Sequence, residues 1–172
     1  ELPAETWAYL PWELREEALT LLPAEIVARA LAELDTDDAV AVAEELGASQ
    51  LAAVLAVADE DVRLAVKDAL SFDEETAGRL MQREFVAAPD GARVGEVIDR
   101  MRSDSAELPE LFFEIYIVDA RMQPVGAVPV STLLRAQRDV PLRSIMRVLP
   151  LLIRPEMDQE DVALAFQKYH LA

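Results

Sequence analysis

Residues 22–35 read LPAEIVARALAELD, and the two stretches that follow in step, LDTDDAVAVAEELG (34–47) and LGASQLAAVLAVAD (46–59), repeat the same pattern. Each opens on a leucine followed by a residue that ends one helix and begins the next, then carries apolar residues at helical spacing. Searching outward gives Leu10-Pro11, Leu22-Pro23, Leu34-Asp35, Leu46-Gly47, Ala58-Asp59 and Leu70-Ser71, a step of 12 residues throughout. The punctuating residues are Pro, Asp, Gly and Ser, the types favoured at helix caps and starts. Acidic residues follow within a turn: Glu13, Glu25, Asp37 and Asp38, Glu60 and Asp61, Asp73 and Glu74. Carboxylates placed there complement the positive end of a helix dipole.

Between the punctuators, Ile26, Val27, Ala30 and Leu31 form one apolar stripe. Val40, Val42, Ala43 and Leu46 form a second, and Leu51, Val54 and Leu55 a third. Helices of about 8–10 residues do not survive alone in water. Each must bury its stripe against the next, which is the logic of a solenoid. Residues 1–80 are therefore expected to form an acidic all-α superhelix of short helices. A compact helical bundle is the alternative, disfavoured by the strict period.

The charge is unevenly spread. The net charge of −17 divides into −14 over residues 1–84, with 20 Asp/Glu against 6 Lys/Arg, and −3 over residues 85–172. Such a first half repels phosphate backbones and anionic membrane surfaces, so nucleic acid is excluded as a partner; cations are what it attracts. Acidic surfaces also simply keep proteins dissolved. Apolar content of 52% with 6% aromatic residues implies a core of Ala, Leu and Val. Without cysteine there is neither a disulfide framework nor a thiolate metal site. No run approaches the roughly 20 apolar residues of a membrane span. The first residues carry Glu1 and Glu5 and no basic patch, so no signal peptide is expected. The chain begins without Met, as an excised piece of a longer protein would. One His and the lack of any GxSxG, HExxH or Gly-rich phosphate loop argue against an enzyme. Trp7 and Trp12 read as helix-packing residues.

Near Ser71 the text changes. Phe72 to Leu80 reads as a longer amphipathic segment, and Phe85-Val86-Ala87 as a short strand closed by the turn signal Pro89-Asp90-Gly91. Val94, Val97, Ile98 and Met101 give a helix, and 102–110 is polar enough for a loop. Ile115-Tyr116-Ile117-Val118 is a buried strand that turns at 119–124 and pairs back through Val125-Gly126-Ala127-Val128, before a short helix from Ser131 to Gln137. The pattern then restarts. Ile145-Met146 echoes Leu80-Met81, Leu151-Leu152-Ile153 echoes the first strand, and Val162, Ala165 and Phe166 echo the helix after it. The sequence stops at Ala172, before a second hairpin. Domains are expected at 1–80, 81–141 and 142–172, the last a cut-short copy of the second.

Strand, helix and then a hairpin of the form YIYVVD-x-x-G-x-x-G resembles the CBS domain, here Ile115-Tyr116-Ile117-Val118-Asp119 running on to Gly126. With Leu34-Asp35-Thr36-Asp37-Asp38-Ala39, then Ser71 to Met81, then Glu84-Phe85-Val86-Ala87, the whole chain resembles the cytoplasmic region of the MgtE family of magnesium channels. Asp158-Gln159-Glu160-Asp161-Val162 looks like the matching stretch of that family's second CBS domain. The resemblance implies a multidomain fold, a helical superhelix followed by α/β CBS domains, the second incomplete. It also implies a homodimer formed through CBS domains on the cytoplasmic side of the cell membrane, next to a transmembrane domain. Weakly bound regulatory Mg²⁺, held between the acidic helices and the CBS pair, would keep the pore shut. A CBS-containing protein without a pore is the alternative.

The same resemblance implies the metal residues. Asp37 and Asp38 match an acidic pair at a helix start, although Ala41 stands one turn on where the family commonly has Asp. Arg79 matches a position where a backbone carbonyl faces the ion. Glu160 aligns with a carboxylate of the second CBS domain, and His170 stands where the family has Asp. Glu5, at a helix start in the acidic array, is the remaining candidate. Pro129 and Thr132 occupy the places where nucleotide-binding CBS domains use a Ser/Thr and an Asp, so a nucleotide is not expected.

Overall fold

The computed structural model describes residue 19 and residues 21–103, 108–109 and 111–169. Two compact units emerge, one from residues 1–83 with 153–172, the other from residues 84–152. Among the described residues no helix is long and apolar enough to cross a membrane.

In the first unit, α1 (Ala24–Ala32), α2 (Thr36–Glu44), α3 (Ala48–Val57) and α4 (Glu60–Ala69) follow one another. Their N-cap residues are Pro23, Asp35, Gly47 and Asp59, the punctuators of the 12-residue step. All four take φ between −62° and −56° and ψ between 146° and 155°. Pro23 and Gly47 have no side-chain acceptor, and neither Asp35 nor Asp59 makes a side-chain capping bond, contrary to what an Asp there suggests. Their carbonyls instead open the helices, accepting from Val27 at 3.3 Å and from Ala39, Leu51 and Arg63 at 2.9 Å each. What the repeat encodes is thus an extended corner every twelfth residue. The helices meet chiefly one apart, α1 on α3 and α2 on α4, rather than each on its successor. Val27, Leu31, Ala43, Val54 and Val66 are sealed in this core, and burying side chains of this kind stabilises by about 1.5–3 kcal/mol each.

The step lapses after α4. Glu75 takes a left-handed φ of 67°, which breaks the amphipathic segment over 72–80, so that within it only α5 (Ala77–Leu80) is helical. The Phe72 ring packs beneath Gly78, where a Cβ would approach it to 2.7 Å. Residues 153–159 then return to this turn. Ala77 and Gly78 N–H donate to the Met157 and Pro155 carbonyls at 2.8 Å, and Gln159 N–H donates to Glu75 O at 2.7 Å. The last helix, α8 (Gln159–Tyr169), buries no residue and leaves Leu164 and Phe166 exposed.

The second unit carries β1 (Val86–Pro89), α6 (Val94–Ser103), β2 (Glu114–Val118), β3 (Pro124–Pro129) and α7 (Val130–Arg135). The sheet order is β1-β2-β3, with β1 parallel to β2 and β2 antiparallel to β3. A parallel pair needs a long crossover, and α6 lies within it. Ile115, Ile117 and Val128 meet Val94, Leu133 and Leu142, all fully buried. Leu142 belongs by sequence to the second copy of the repeat, yet its N–H donates to Ala92 O at 3.0 Å, and Ala127 and Arg147 exchange N–H···O bonds of 2.9 Å. So the leading segment of the second copy completes the core of the first, and the compact unit runs on to Leu152. Leu151-Leu152-Ile153, expected as a strand, joins no ladder among the described residues.

Two positions in this unit are constrained by backbone geometry. At Gly126 an added Cβ would meet Arg147 O and Met146 Sδ, each at 2.8 Å. Gly126→Ala is expected to lower the unfolding free energy by about 1–3 kcal/mol through overpacking, read as a fall in urea midpoint. Met122, which stands where the hairpin pattern has its first glycine, holds φ at 60° with its side chain exposed. Met122→Gly is expected to raise stability by about 0.5 kcal/mol, relief of left-handed strain outweighing the added chain entropy. Met122→Val moves the same midpoint downward, because a β-branched residue tolerates this region least.

Candidate functional site

Asp37 and Asp38 occupy the first turn of α2, directly after the N-cap Asp35. Asp38 is exposed and Asp37 half-buried. The Asp37 Oδ1 atom is enclosed and accepts no hydrogen bond. An enclosed carboxylate oxygen without a donor is costly unless a cation or the helix N-terminus compensates it. Asp35 Oδ2 lies 3.5 Å from Gln82 Nε2, a weak contact. Ala41, one turn on, is exposed and brings no ligand.

Arg79 sits on α5 with a side chain only 11% exposed, its Nε 2.7 Å from Glu44 Oε1 at the end of α2. This is an ion pair whose alignment falls short of a hydrogen bond. Nη1 donates to Ala69 O at 3.3 Å, and Nη2 lies 4.0 Å from Glu74 Oε1. Its guanidinium therefore already fills a place among carboxylates. Glu160 lies in the first turn of α8, exposed, with its N–H donating to Asp158 Oδ1 at 2.8 Å. Asp158 thus caps that helix.

Asp37, Asp38, Arg79 and Glu160 all fall within the first compact unit. The fold joins the helices that bear them through α5, which packs on α2 and binds the segment leading into α8. Among the described residues, however, no three His, Asp or Glu side chains converge into a metal-holding cluster. Glu5, His170, Trp7 and Trp12 lie outside the described residues. Glu44, the partner of Arg79, was not a sequence candidate; nothing local to it signals a residue on a distant turn.

The second unit holds a cavity of about 300 Å³ between β1 and α6, lined by Phe85 to Pro89, Ala92, Glu96, Val97, Arg100, Met101 and Leu108. Phe85 meets Tyr116 edge to face, with centroids 6.1 Å apart. Glu96 is engaged locally, its Oε2 accepting from Arg93 N–H at 2.7 Å. Pro129 caps α7, and neither it nor Thr132 lines this cavity.

Residues 1–75 match the family model of the MgtE intracellular N domain. The magnesium transporter MgtE of Thermus thermophilus is 29% identical over 111 residues, 64% of this chain and 24% of the relative. That of Bacillus subtilis is 23% identical over 140 residues, 81% of this chain and 31% of the relative. The chain thus spans a quarter to a third of the curated relatives it matches. Among solved structures, the cytosolic domain of the Mg²⁺ channel MgtE in complex with ATP superposes with a TM-score of 0.85 at 27% identity. That match covers 97% of this chain and 68% of the other. The CBS pair of a putative Mg²⁺ transporter from Shewanella oneidensis, at 20% identity and a TM-score of 0.55, shares the fold. The first 75 residues thus match the MgtE intracellular N domain, and over nearly all its length the chain is similar in fold to an MgtE cytosolic region.

Proposed function

We propose that the chain is the Mg²⁺-sensing regulatory region of an MgtE-type magnesium transporter, on the cytoplasmic side of the membrane. The observation that carries this reading is the match of 97% of the chain to an MgtE cytosolic domain, helical array and CBS elements in the same order. In this reading it works as a homodimer through its CBS elements, beside a transmembrane domain, and performs no catalysis.

The chemistry is consistent with that role. Mg²⁺ keeps several of its waters and is held by one or two carboxylates, so Asp37 with Asp38 at the head of α2, assisted by Glu160 at the head of α8, suits a weak site. The enclosed Asp37 oxygen lacks a donor, and an ion would supply the missing positive partner. Arg79 brings positive charge into the same unit and moderates the affinity. An ion that binds only the closed arrangement shifts the population toward it; with the ion removed, carboxylate repulsion opens the assembly and releases the pore. The alternative is a CBS-containing interaction protein without a pore or an ion response, and the exposed Ala41 in place of a ligand favours it.

Titration with Mg²⁺, followed by scattering radius and by protease susceptibility, separates the two readings. The radius is expected to shrink and cleavage to slow at millimolar Mg²⁺. Asp37→Asn should raise the required concentration by about tenfold, since one charge-assisted contact is worth roughly 1.5 kcal/mol. A chain indifferent to Mg²⁺ contradicts the sensor and leaves the interaction module.

A further inference from the structure

Helix α5 has four residues and cannot hold its own shape. The first N–H groups of any helix have no partner within it, and here those of Ala77 and Gly78 are spent on the Met157 and Pro155 carbonyls at 2.8 Å. With the return bond from Gln159 N–H to Glu75 O, they tie residues 153–159 to the helical array. That tie is only as firm as α5 itself. The Phe72 ring beneath Gly78 supplies an apolar seat, and Arg79 supplies the charge.

The guanidinium is placed where a cation is most useful. Glu44 is the last residue of α2 and Ala69 the last of α4. Arg79 therefore meets the negative ends of two helices at once, with a carboxylate at 2.7 Å and a carbonyl at 3.3 Å. Its side chain is largely withdrawn from water, which strengthens both contacts. Because the charge is covalently attached, it is present at every ion concentration.

We propose that Arg79 is a built-in cation, a positioning residue that locks residues 153–159 onto the helical unit without any divalent ion. The joint between α5 and the segment leading to α8 is therefore constitutive, and it holds the head of α8 in place whether or not an ion is bound there. This holds whether or not the chain senses Mg²⁺.

Amide hydrogen exchange of the 172-residue chain, in chelator and in millimolar Mg²⁺, tests it. The Ala77, Gly78 and Gln159 amides are expected to be equally protected in both conditions. Arg79→Met should speed their exchange about tenfold relative to the Val54 amide, Mg²⁺ should not restore them, and Arg79→Lys should recover part of the loss. Protection that appears only with Mg²⁺ overturns the proposal, as does an Arg79→Met chain with unchanged exchange at the three amides. Should Arg79→Met unfold the unit, Glu44→Gln decides: selective loss at these amides sustains the proposal, and no selective loss overturns it.

Discussion

Helices of nine or ten residues have too few internal hydrogen bonds to stand in water, and everything in the first unit follows from how that shortfall is met. The extended corner at every twelfth residue brings helices one apart into contact, so Val27, Leu31 and Val54 share a single core. The same corners bring an acidic residue into the first turns of α1, α2 and α4. Local dipoles favour those carboxylates, yet together they load a small unit with like charge. Apolar stacking must hold against that repulsion, and positive charge is scarce.

Scarcity of cations gives each one present a disproportionate structural role. Arg79 meets Glu44 and the end of α4, and Arg83 pairs with Asp68. On the proposed reading, Mg²⁺ adds to this resident set at the head of α2, the opposite end of that helix from Glu44. Within one helix, then, the negative end is served by a tethered cation and the acidic head is left to a soluble one. Such a division separates what holds the unit together from what reports the ion concentration.

The sequence disclosed those parts that repeat or alternate locally. The 12-residue step located four N-caps to the residue, because a corner recurs there whatever side chain occupies it. Apolar periodicity located α6, and short apolar runs on either side of a turn located β2 and β3. Where the reading failed, the deciding contact was distant. The amphipathic segment over 72–80 is broken because Glu75 turns left-handed and residues 153–159 take up the N–H groups of α5. The strand expected at Leu151-Leu152-Ile153 had the right composition but joins no ladder among the described residues. Asp37 and Asp38 stood out as a pair in the sequence. That one Asp37 oxygen is enclosed, and that Arg79 is committed to Glu44, depends on packing between residues far apart in the chain, where pattern carries no information.

The central claim is that ions act between the head of α2 and the head of α8. An amide-resolved Mg²⁺ titration by NMR tests it most directly. The account expects saturable shifts at Asp37, Asp38 and Glu160 that follow one common dissociation constant. Shifts that grow linearly without saturating, or that spread evenly over all the acidic helix starts, would contradict it.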